Sequence, residues 1–138
     1  MVLLPDHLHA LWTLPEGDAD FSLRWAVVKQ SFTLGWLATD GRRAAASDSF
    51  RRGRRQGVWQ RRFWEHAIRD PADFSQHLDY IHYNPVKHGL ASCPHTWPYS
   101  TFRKWVERSA YAADWNCGCG KQVVRPPDFR RMDGMAME

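Results

Sequence analysis

The sequence predicts an α+β fold, and three observations carry that expectation. A short alternating apolar run at the start is broken by turn chemistry. Two later segments, one opening near Asp20 and the other at Asp70, repeat apolar residues at helical spacing. A third run, Val58 to Ile68 (VWQRRFWEHAI), is aromatic and partly alternating, and reads as a further strand.

The opening, Met1 to Leu14, places Pro5-Asp6 between two apolar stretches and so predicts a β-hairpin. Its second strand is expected over His7 to Leu14. Period-two alternation puts His7, His9, Leu11 and Thr13 on one face, with the two histidines about 7 Å apart along the strand. Asp20 or Ser22 can cap a helix to about Leu37, in which Phe21, Trp25, Val28, Phe32 and Trp36 form a stripe that reads as core. Thr39 to Gln56 is rich in Gly, Ala, Ser, Asp and Arg and reads as a long mobile loop.

Asp70 as N-cap, Pro71 at the first helical position and Asp73 in the first turn announce the second long helix. Pro85 is expected to end it at about Asn84, because proline has no amide donor and disfavours helical geometry in the residue before it. Phe74, Leu78 and Ile81 make its apolar stripe. Asp73, His77, Tyr80 and Asn84 line up on another face, with Tyr80 and Asn84 one turn apart. A shorter helix is expected from about Ser100 to Ser109, and a loosely ordered tail over 110–138.

The 138 residues suffice for one domain with a core, and the composition (43% hydrophobic, 25% charged) is globular. The net charge of +4 is unevenly spread: Arg42, Arg43, Arg51, Arg52, Arg54, Arg55, Arg61 and Arg62 face the single acid Asp48. Such a cluster suits a polyanionic partner, although a solvated basic loop has the same composition. Eight tryptophans in a basic chain also suit base stacking, for which Trp59, Trp64 and Trp97 are candidates. Three cysteines (Cys93, Cys117, Cys119) argue against a disulfide framework, and Cys117-Gly-Cys119 lacks the second pair of a zinc site. No apolar run is long enough to span a membrane and no signal-peptide pattern follows Met1, so a cytoplasmic protein is expected.

Two imidazoles on one strand face are half of a metal site. The HxH pattern alone is shared with cupins, histidine-triad hydrolases and amidohydrolases; Leu11 removes the third histidine that a histidine triad needs. The other organised polar surface is the Tyr80–Asn84 face, which offers a nucleophilic hydroxyl beside an amide oxygen. A tyrosine on a helix is otherwise an ordinary interfacial core residue. Tyr83 is a rival nucleophile, but it lies about 300° round the helix from Tyr80.

Leu4-Pro-Asp-His-Leu-His-Ala-Leu-Trp12, Trp59-Gln-Arg-Arg-Phe-Trp-Glu-His66 and Tyr80-Ile-His-Tyr-Asn-Pro-Val-Lys-His-Gly-Leu90 closely resemble, in the same order, the REP-associated tyrosine transposases. The resemblance covers roughly residues 1–109, the expected HUH single-tyrosine transposase domain. It implies that His7 and His9 are the histidine-hydrophobic-histidine metal pair, that Asn84 is a third ligand and that Tyr80 is the nucleophile. It also implies a Mg²⁺ or Mn²⁺ cofactor and single-stranded or hairpin DNA as partner. A 5′-phosphotyrosine would conserve the energy of the cleaved bond for rejoining. DNA contact would fall to Arg51, Arg52, Arg54, Arg55, Arg61, Arg62 and Lys87, with Arg103 and Lys104 further out; His66, His77 and His82 could tune the site.

By the same resemblance the fold is a ferredoxin-like antiparallel sheet with helices on one face. Met1 lies six residues ahead of His7, so the family's N-terminal strand-helix-strand is expected to be lacking, unless the gene start is misplaced. Unpaired strand edges and an exposed apolar face would follow, unless a second copy of the chain covers them. Two function classes result: a metal-dependent DNA strand transferase, and an inactive DNA-binding remnant of one. A hydrolase of small phosphoesters, using water in place of Tyr80, is a third.

Overall fold

Pro5 and Asp6 form the bend between two short antiparallel strands, β1 (Val2–Leu3) and β2 (Leu8–His9), paired Val2 to His9 and Leu3 to Leu8. The computed structural model describes residues 1–39, 41, 58–59, 63–119, 127–129 and 132, and the chain is α+β. It divides into two compact units, Met1–Trp12 with His66–Glu138, and Thr13–Glu65. Among the described residues no helix is long and apolar enough to cross a membrane.

In the first unit β2 stops at His9 rather than Leu14, because β1 offers two residues for pairing. The other side of β1 is occupied: the Leu3 amide donates to the Tyr99 carbonyl at 2.9 Å, and Val2 bridges Ser100. Helix α2 (Pro71–Lys87) begins as its sequence signals require, with the Asp70 carboxylate accepting the Asp73 amide at 2.8 Å. It does not end at Asn84. Pro85 lies inside it, fully buried, and the helix closes with the His88 amide on the Asn84 carbonyl at 3.0 Å. The Leu90 and Ala91 amides then take up the Pro85 carbonyl at 2.8 and 3.3 Å, and Gly89 turns the chain at φ +68°. Burial of the proline ring compensates for the missing amide.

A 3₁₀ turn (Pro94–Thr96) and helix α3 (Phe102–Glu107) follow; α3 is shorter than the expected Ser100–Ser109. Val2, Leu4, Tyr80, Ile81, Phe129 and Met132 make the core, with Leu11, Tyr83 and Trp97 against it. Beyond Ala110, where the sequence suggests a loose tail, the Tyr111 hydroxyl donates to Asp79 at 2.7 Å, and Phe129 and Met132 are buried. Trp115 meets Tyr83 edge-on at 6.4 Å.

In the second unit α1 (Phe21–Ala38) matches the expected helix, but its stripe is not a buried core. Thr33 is its one buried residue, whereas Val28, Phe32 and Trp36 are 45%, 48% and 43% exposed. Leu23, Val27 and Leu34 are exposed too, so apolar residues encircle the helix and no one face gathers them. Asp20 sits at the N-cap without a side-chain bond; its amide is held by Asp18, which also pairs with Arg24. The strand expected over Val58–Ile68 is not formed by its described residues, 58–59 and 63–68. Their aromatic rings pack on α1 instead: Phe63 lies 6.2 Å from Phe21, and the Trp59 indole donates to the Lys29 carbonyl at 3.2 Å. The loop expected over Thr39–Gln56 lies outside the described residues apart from Thr39 and Gly41.

Candidate functional site

The hairpin and α2 bring His7, His9, Tyr80 and Asn84 into one region of the first unit. The His7 and His9 rings stand edge-to-face with centroids 5.0 Å apart, closer than the spacing of an ideal strand, since His7 lies just before β2. His9 is in turn edge-on to Tyr80 at 5.5 Å. Helical periodicity explains the second half: Tyr80 and Asn84, one turn apart, are both buried on the side of α2 that meets β2.

Polar atoms at this point are left without partners. Asn84 is fully buried, yet neither its amide nitrogen nor its oxygen makes a hydrogen bond, and the same holds for His9 Nε2. Burying an amide unsatisfied costs about 1–3 kcal/mol, so the arrangement calls for a ligand. Burial and the neighbouring charge of His7 push the His9 pKa down to about 4; a polar contact with the Asn84 side chain, outside good hydrogen-bond geometry, works the other way. His9 is therefore neutral at pH 7, with a lone pair to give, as metal ligation requires. His7 is held by its neighbour: its Nδ1 lies 2.6 Å from the Asp6 carboxylate, which leaves Nε2 as the nitrogen to offer a ligand. The hydrogen bond to His7 holds the Asp6 carboxyl below its ordinary range.

This donor set of two imidazole nitrogens and an amide oxygen fits a divalent first-row ion. Mn²⁺ accepts nitrogen more readily than Mg²⁺, which prefers oxygen and water.

Two residues belong here that the sequence reading passed over. His88 stacks edge-on to His7 at 5.3 Å. It lies eight residues after Tyr80 and four after Asn84, so the same helical spacing could have found it. Asp6, read as a turn residue, is the partner of His7. Lys87, expected on DNA, holds its ammonium 4.9 Å from the centre of the Tyr80 ring. The same ring meets Phe129 in a T-shaped contact at 5.3 Å.

The remaining candidates lie elsewhere. His66 and His77 stack at 4.4 Å around Asp73, whose carboxylate is 2.7 Å from His66 and 3.0 Å from His77. His82 is fully buried, with Nε2 3.1 Å from the Thr101 hydroxyl. Tyr83 packs on Phe129 and Trp115 rather than on the histidines. The Trp97 indole donates to the Leu3 carbonyl at 2.9 Å, while Trp64 is 49% exposed. Arg103 and Lys104 are exposed on α3. Arg51, Arg52, Arg54, Arg55, Arg61 and Arg62 lie outside the described residues.

No family model matches the chain. It is 45% identical over 114 residues to the REP-associated tyrosine transposase of Escherichia coli (strain K12), a match covering 83% of this chain and 59% of that protein. A Haemophilus influenzae protein of the same family name is 46% identical over 113 residues, covering 82% of this chain and 62% of the relative. The chain thus spans about three fifths of the length of these relatives. A solved structure of a REP-associated tyrosine transposase bound to a REP hairpin superposes with a TM-score of 0.65 at 39% identity, over 93% of this chain and 67% of that one.

Proposed function

Because the chain belongs to the REP-associated tyrosine transposase family, we propose that it cleaves and rejoins single-stranded DNA at palindromic REP-type elements, with Tyr80 as the nucleophile. The observation that carries this reading is the meeting of Tyr80 and Asn84 with His9, where buried ligand atoms stand unsatisfied beside a tyrosine ring.

His7, His9 and Asn84 would hold Mg²⁺ or Mn²⁺. When bound, the ion would neutralise charge on a non-bridging phosphate oxygen. The Tyr80 oxygen attacks phosphorus and the bond to the 3′-oxygen breaks. The tyrosine proton ends, directly or through solvent, on that leaving oxygen. A 5′-phosphotyrosine and a free 3′-hydroxyl result, and attack by another 3′-hydroxyl reverses the step on a new strand without an external energy source. Lys87 lies over the Tyr80 ring, where its charge favours the developing phenolate and attracts the DNA backbone. The arginines Arg51, Arg52, Arg54, Arg55, Arg61 and Arg62 supply further phosphate contacts in this reading.

The test is incubation with a labelled single-stranded hairpin and Mn²⁺. A covalent protein–DNA adduct is expected, lost in Tyr80→Phe and kept in Tyr83→Phe. Salt-sensitive binding with no adduct would identify a DNA-binding remnant; turnover of small phosphoesters that survives Tyr80→Phe would identify a hydrolase.

A further inference from the structure

A second cluster lies away from the Tyr80 site. Cys93, at the start of the 3₁₀ turn, is fully buried; its sulfur is at disulfide-bonding distance from that of Cys117 and lies 2.8 Å from that of Cys119. Cys117 is also within bonding reach of Cys119. One sulfur cannot form two disulfides, and a disulfide between any two of the three leaves the third thiol against it. His95 completes the group: its ligand atom and those of Cys93 and Cys117 all lie within 4.8 Å of one another. The His95 Nδ1 is buried and makes no hydrogen bond.

The backbone is arranged to bring these groups together. The turn Pro94–Thr96, closed by the Thr96 amide on the Cys93 carbonyl at 3.2 Å, sets Cys93 and His95 side by side. The Gly118 amide donates to the Ser92 carbonyl at 2.9 Å, clasping the Cys-Gly-Cys segment to the turn. A Cβ at position 118 would stand 3.1 Å from that carbonyl, so the absence of a side chain permits the approach.

We propose that Cys93, His95, Cys117 and Cys119 bind a structural zinc ion. Three thiolates and one imidazole make a closed tetrahedral set, with Zn–S near ~2.3 Å and Zn–N near ~2.0 Å. Opening the three sulfurs to tetrahedral separations of about 3.8 Å needs only small movements of side chains already converging on one point. On binding, three thiols lose their protons to solvent and no oxidant is consumed, whereas a disulfide would need one. The ion would tie the segment after α3 to the turn after α2. That same segment supplies Tyr111 to Asp79 and Trp115 to Tyr83, both on α2. The zinc site would thus steady the helix that carries Tyr80 while taking no part in the reaction.

Native mass spectrometry and elemental analysis of the full chain, purified without added metal chelator, test this. One zinc per chain is expected, with all three cysteines alkylated after denaturation without reductant. Cobalt exchange should give the visible bands of a tetrahedral site and a thiolate charge-transfer band. Cys119→Ser, at the most exposed of the three, and His95→Ala should lose the zinc, whereas His7→Ala/His9→Ala should keep it. A mass two daltons low with one alkylatable thiol, three free thiols that take up no added zinc, or zinc lost with His7 and His9 would each overturn the proposal. The cobalt spectrum of the unaltered chain decides the case even if a cysteine variant fails to fold.

Discussion

Asn84→Leu separates a functional amide from a structural one. Leucine has the same branching of heavy atoms as asparagine, so the exchange removes polarity while adding some bulk at a tetrahedral Cγ, and Asn84→Ala, which adds none, is measured beside it. Asn84 is fully buried and its side-chain nitrogen and oxygen both lack hydrogen-bond partners. Relieving that desolvation should stabilise the chain by about 1–3 kcal/mol in the absence of Mg²⁺ or Mn²⁺. For a protein of this size each kcal/mol moves the melting temperature by roughly 4 °C, so a rise of about 4–12 °C is expected. Thermal unfolding of both proteins in one buffer gives the difference, and the adduct assay with Mn²⁺ gives the function. The variant should be more stable and should form little or no adduct. If instead both the leucine and the alanine variants are destabilised by more than about 3 kcal/mol, Asn84 makes interactions that hold the fold, and its assignment as a ligand loses its physical basis.

Two further outcomes follow from other contacts. Tyr111→Phe removes the 2.7 Å bond to Asp79, whose carboxyl burial pushes up in pKa, and should cost about 1–3 kcal/mol in urea unfolding; an unchanged midpoint would show that the segment after α3 adds nothing to α2. Stability should also fall as pH drops from 7 towards 4. His9 and His82 are both held by burial to pKa values of about 4, below the unfolded value of 6.5, so the unfolded chain binds more protons throughout that window. Each histidine can contribute up to about 1.4 kcal/mol per pH unit there. The Asp73 carboxyl, held low mainly by its bond to His66, adds a loss of the same sign below its unfolded value. A melting temperature flat between pH 7 and 5 would contradict the burial of both histidines.

What the sequence made legible was what local periodicity encodes. Alternation paired His7 with His9, and a helical repeat set Tyr80 beside Asn84; both depend only on neighbours along the chain. The end of α2 was misjudged because Pro85 breaks a helix by local rules, and only its complete burial in the folded chain overrides them. The stripe from Phe21 to Trp36 has helical spacing, but periodicity does not say whether a partner exists to bury it. The run from Val58 satisfied strand propensity, and the aromatic rings then found α1 instead of a neighbouring strand. The cysteines were least legible. Cys93 and Cys117 are 24 residues apart, and nothing local to either signals that the chain between them returns to the same point.

The polar face of α2 carries an internal control for the reading of Asn84. Asp73 and Asn84 lie on the same face of the same helix, both buried. Asp73 is saturated: its carboxylate takes the Arg69 amide at 3.0 Å, the Arg69 side chain at 3.3 Å, His66 at 2.7 Å and His77 at 3.0 Å. A charged group that has found every partner it can use needs no outside ligand, and its task is to anchor the start of the helix. Asn84, the milder group and the easier one to satisfy, makes no hydrogen bond of good geometry. The amide left without a hydrogen bond lies at the end of the helix where His9 also keeps an unused nitrogen and Tyr80 has His9, Lys87 and Phe129 around its ring. A buried amide and a buried imidazole nitrogen, both without a hydrogen bond and gathered beside a tyrosine at one end of the helix, are what a ligand site requires of a helix that must also hold itself in place.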